Sequence, residues 1–123
     1  MRHLSSFVLL ALLALPAWAA VALPDTPAAK TLQGWLDAVN SGDPERITAY
    51  YEEYLPGLPV PEGPVLPFLD SSEGFEVIAV LLSEPLSIDF VIKERAGDTR
   101  TVGHITVEES EPHRVDSIRF TIP

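Results

Sequence analysis

Side chains able to do chemistry are sparse in this chain, and the familiar arrangements of them are missing. There is no Cys, which excludes a thiol nucleophile and a thiolate metal site. The serines of Asp70-Ser71-Ser72-Glu73-Gly74 lack the first glycine and the preceding strand of a nucleophile elbow. No Ser-x-x-Lys, His-Glu-x-x-His, phosphate-binding loop or dinucleotide fingerprint occurs. Three weaker constellations remain. His104 shares a predicted strand face with Val102 and Thr106 and would act as a base if a pocket formed between sheet and helices; the plainer reading is a structural imidazole among β-branched neighbours. Trp35, Tyr50, Tyr51 and Tyr54 would line a ligand cavity with apolar walls and polar tips, or simply fill the core, as their helical spacing also allows. Asp43, Glu45, Glu52 and Glu53 make one helix acidic without the spacing of a calcium loop, which reads as a solvated face before a divalent-ion site. The sequence therefore assigns no catalytic residue, no metal ligand and no cofactor. Trp35, Tyr50, Tyr51, Tyr54 and His104 are its candidate pocket-lining residues.

The elements that would position them can be read from periodicity and caps. Leu32, Trp35, Leu36 and Val39 form one apolar helical stripe, with Thr26 as N-cap, Pro27 at the first helical position and Gly42 placed to end the helix. Asp43 then caps a second helix that Pro44 starts and Glu45 favours electrostatically, carrying Ile47, Tyr50, Tyr51, Tyr54 and Leu55. Five prolines between Pro56 and Pro67 predict an extended connector, with Leu58, Val60 and Val65 as anchors. The three-residue recurrence of Pro61, Pro64 and Pro67 also suits a proline-rich ligand for another domain. One helical turn is expected over 66–72, ended by Gly74.

From Gly74 the period changes to two. Phe75 to Ser83 is apolar at nearly every position, which predicts a central strand or one covered on both faces. Glu84-Pro85 turns the chain, Ile88, Phe90 and Ile92 alternate with Asp89, Val91 and Lys93, and Ala96-Gly97-Asp98 is hairpin chemistry. Thr99 to Glu108 is the third strand, with Gly103 marking a bulge or a close backbone approach, and His113 to Ile122 is the fourth. The class is α+β: two N-terminal helices packed on a curved antiparallel sheet of about four strands.

The 123 residues allow one domain, expected over 26–123 with the proline-rich connector at 56–67. Arg2 and His3, the apolar run Phe7 to Leu15 and Ala17-Trp18-Ala19 read as a signal peptide over 1–19, with a second cleavage option after Ala22. Export to a periplasm or the medium is the expected localisation, without stable membrane insertion after cleavage. The net charge of −10 disfavours nucleic acid and anionic membranes and is explained most simply by solubility. A protein partner, a homodimer through an open sheet face that leaves Val91 uncovered, and a small apolar ligand are the partner classes that remain.

The pattern Trp35-Leu36-Asp37-Ala38-Val39-Asn40-Ser41-Gly42-Asp43, followed by a Tyr-rich helix, resembles the small cone-shaped domains of the ketosteroid-isomerase-like or nuclear-transport-factor-2-like group, with their cystatin-like cone. With Gly74-Phe75-Glu76-Val77 opening the strands, it is similar more closely to the extension preceding the catalytic domain of exported serine hydrolases, both β-lactamase-like and tail-specific-peptidase-like. The resemblance spans Thr26 to Ile122. It implies the fold and an accessory role; no position matches the acidic base and oxyanion donors of the isomerases, nor any catalytic motif of the hydrolases. The leading expectation is an exported non-catalytic accessory or binding module. The alternative is a small isomerase- or hydrolase-like enzyme with a cone pocket, His104 as base and a tyrosine as donor. A third reading is a detached leader domain whose enzyme is encoded elsewhere.

Overall fold

Two helices lie on one face of a four-stranded antiparallel sheet, an α+β arrangement, in a computed structural model that describes residues 21–59 and 73–121. The expected leader, the anchors Val60 and Val65 and the helical turn over 66–72 fall outside the described residues. Helix α1 spans Pro27–Asn40, and the Thr26 hydroxyl accepts from the Ala29 N–H at 3.1 Å. The Ala28 N–H, another donor with no partner inside the helix, reaches the Pro85 carbonyl at 3.1 Å and ties the start of α1 to the sheet. Gly42 follows the helix at φ 68°, the left-handed conformation that a side chain would resist. Helix α2 spans Pro44–Tyr54, and its Asp43 cap accepts from the Glu45 N–H at 2.9 Å.

The strands β1 (Phe75–Glu84), β2 (Ser87–Glu94), β3 (Arg100–Val107) and β4 (Val115–Thr121) pair in the order β1-β2-β3-β4, a meander. The fourth strand begins two residues later than the sequence predicts, because His113 adopts φ 63° and turns the chain. Alternation decides which side chains meet the helices. Ile88, Phe90 and Ile92 from β2 and Ile105 and Val107 from β3 are buried with Leu32, Leu36, Ile47 and Leu55 in one core. Each such side chain contributes roughly 1.5–3 kcal/mol on burial. Gly103 lies beneath the Phe90 ring, where an added Cβ would fall 2.3 Å from a ring carbon. Pairing with β2 runs unshifted through this position, so Gly103 marks a close approach rather than a bulge.

Strand β1 departs from expectation. It is an edge strand, not a central one, and Leu81 and Leu82 are 59% and 46% exposed. Its register with β2 shifts between Val77 and Ala79 and again between Val80 and Leu82. Each shift inserts a residue and reverses the alternation, so an apolar run without period two arises on a strand with only one buried face. Val21 donates its N–H to the Val77 carbonyl at 3.0 Å on this edge. At the other end of the helical layer, the Asn40 amide brackets Phe75, donating to its carbonyl and accepting from its N–H, both at 2.9 Å.

Candidate functional site

The five candidate residues divide among three places. Trp35 and Tyr51 are in the interior, where the Trp35 indole N–H donates to the Tyr51 hydroxyl at 3.1 Å. The Trp35 ring continues into the sheet end, 5.3 Å from the ring of Phe120. Burial raises the Tyr51 pKa, partly offset by the indole donor, which favours the phenolate oxygen. These two side chains build the core and do not face an opening.

Tyr50 and Tyr54 do face one. One turn apart on α2, their rings stack at 4.6 Å and line a solvent-open cleft of about 400 Å³. Pro27, Lys30 and Thr31 of α1 form one wall, and Glu111, Pro112 and His113 of the β3–β4 loop form another. Two hydrogen bonds dock that loop: Thr31 Oγ1 donates to the His113 carbonyl at 3.3 Å, and Arg114 Nε donates to the Glu53 carbonyl at 3.2 Å. The Tyr50 hydroxyl donates to the Thr31 carbonyl at 2.6 Å, which fixes its ring as a floor. Burial pushes the Tyr50 phenol well above the ordinary tyrosine value, and the charges of Tyr54, Glu53 and Asp37 add to the rise. His113 holds Nδ1 against the Glu108 carbonyl at 2.9 Å, an acceptor only, so the proton is on Nδ1 and Nε2 lies 3.8 Å from Glu111. The cleft thus combines an aromatic floor with Lys30, Glu111 and His113 around it, a surface for polar and apolar contacts together.

His104 is elsewhere. It shares its strand face with Val102 and Thr106 as the alternation predicts, but that face points away from the helices, because Gly103 and Ile105 take the helix side. It therefore does not join the tyrosines, and a pocket between sheet and helices containing both does not form. Across the outer face, Asp89, His104 and Arg119 lie directly opposite one another on β2, β3 and β4. Asp89 Oδ1 meets His104 Nδ1, which sets the tautomer with the proton on Nδ1 and turns Nε2 to the outside. The next row holds Ser87, Thr106 and Ser117, with the latter two hydroxyls 2.8 Å apart. Sequence reading places Asp89 off the apolar face but misses its partner, fifteen residues away. The available signal was register: folding the chain about Ala96-Gly97 brings Asp89 opposite His104.

Among the described residues no three His, Asp or Glu side chains are grouped to hold a metal ion, and no helix is long and apolar enough to cross a membrane. No protein-family model, curated protein or solved structure matches the chain.

Proposed function

We propose that this chain is an exported, non-catalytic binding module whose partner is a protein, received as a segment laid along the cleft between α1, α2 and the β3–β4 loop. The cleft itself carries the reading. Its open form, stacked tyrosine floor and mixed-charge walls suit a peptide segment, which offers side chains and backbone polar groups together. A small apolar ligand is served better by an enclosed, mostly apolar pocket. The leader-like Arg2 to Ala19 stretch supports export, and the resemblance to hydrolase extensions agrees with an accessory role.

The enzyme reading draws on the contact between Asp89 and His104, which orients an imidazole as a general base requires. It lacks the tyrosine donor, since Tyr50 and Tyr54 are on the far side of the sheet. Native mass spectrometry of the protein from its host's exported fraction tests the proposal. A retained second polypeptide is expected, lost in Lys30→Glu and Tyr54→Ala variants that melt cooperatively. A bare monomer, a homodimer, or a small-molecule mass excess that vanishes on denaturation would each overturn it.

A further inference from the structure

The outer face of the sheet presents a row of polar groups that the described residues leave only partly matched. Asp89 is committed to His104 Nδ1, leaving Nε2 outward. Both side chains remain partly accessible, at 26% for His104 and 32% for Asp89. Arg119 stands directly opposite His104 on β4, exposed, and has no hydrogen-bond or ion-pair partner among the described residues. Opposed side chains on neighbouring strands begin about 5 Å apart, close enough for a guanidinium and an imidazole to converge on one group. In the adjoining row one of the Thr106 and Ser117 hydroxyls donates to the other, and the second proton stays uncommitted. The other flank, Ala79, Val91, Val102 and Thr121, is largely aliphatic and offers no competing charge.

We infer that Asp89, His104 and Arg119 form a binding site for an oxyanion, a phosphate or carboxylate group, on the sheet face opposite the helices. Two donors, His104 Nε2–H and the Arg119 guanidinium, grip the anion, and the hydroxyl row adds a third. Asp89 serves as a positioning residue: by accepting from Nδ1 it holds the ring with Nε2 outward. Only the doubly protonated imidazole donates from Nε2, since the neutral tautomer set by Asp89 presents a lone pair there. The charged groups facing His104 are Asp89 from β2 and Arg119 from β4; farther along the same face stand Glu76, Lys93 and Arg100 at one end and Glu84 at the other. The net charge of −10 opposes every anion, which keeps the affinity modest.

The test is a titration of the whole protein with sulfate, whose charge is constant over the range, followed by backbone amide shifts along β3 and β4 at matched ionic strength. Saturable shifts centred on His104 and Arg119 are expected in mildly acidic buffer. Arg119→Gln should lose about tenfold in affinity, and Arg119→Lys should lose less. His104→Gln should bind more weakly than the parent protein. Acetate in place of sulfate distinguishes a carboxylate preference from a phosphate one. Shifts that stay linear in sulfate, or survive Arg119→Gln unchanged, overturn the site.

Discussion

Tyr50 joins two jobs that pull its phenol in different directions. Its ring face lines the cleft, while its hydroxyl is held against the Thr31 carbonyl under α1. The folded state keeps this phenol neutral, because burial first and the neighbouring charges of Tyr54, Glu53 and Asp37 next raise its pKa. An unfolded tyrosine ionises near 10, so the unfolded chain releases its proton first as pH rises. The stabilisation is complete below that value and declines above it. The melting temperature should therefore fall as pH rises above about 10, and Tyr50→Phe should flatten that fall. At neutral pH the same variant should be less stable by about 0.5–1.5 kcal/mol, for the lost hydrogen bond. Parallel pH profiles for the two proteins would assign the alkaline sensitivity to another group. None of this is legible from spacing, which places Tyr50, Tyr51 and Tyr54 on one helix but does not say which tip is buried. The indole of Trp35 claims Tyr51, and the remaining two tyrosines are left to the cleft.

Elements were more legible than side-chain partners, and the reason differs from one to the next. The ends of α1 and α2 follow from Thr26-Pro27 and Asp43-Pro44, local chemistry that needs no knowledge of the rest of the chain. Strand β2 follows from strict alternation. Strand β1 defeats the same rule because two register shifts reverse its alternation, and parity within a strand cannot reveal a shift against its neighbour. His104 shows the remaining gap: its face is fixed by alternation, but the side of the sheet it occupies depends on where the helices dock. Gly103 is the pivot of that docking on β3. Alanine there would place a methyl against the Phe90 ring, 2.3 to 3.0 Å from three of its carbons. Gly103→Ala should cost roughly 1–3 kcal/mol in urea denaturation. Adding Phe90→Leu should recover part of that loss, since the two side chains share one space. A double variant less stable than the sum of its single changes would contradict this packing account.

At the scale of the whole molecule, the proposed export bears on the N-terminal end of the described chain. Cleavage after Ala19 keeps Val21 and its bond to the Val77 carbonyl on the β1 edge, whereas cleavage after Ala22 removes both. An occupied edge is also a protected one. If the chain is exported as proposed, its intact mass should start at Ala20; a mass starting at Leu23 would show that the edge contact is dispensable. The α+β class and the order of the six elements among the described residues were readable because helices and strands occupy separate halves of the sequence and change period at Gly74. The surfaces were not readable, because both the cleft and the outer row are assembled from residues distant in the chain. The Asn40 bracket on Phe75 adds one more consequence. By joining the end of α1 directly to the start of β1, it anchors the strand to the helical layer. Asn40→Ala should therefore loosen the first residues of β1, read as faster amide exchange at Glu76 and Val77 while the rest of the sheet keeps its protection.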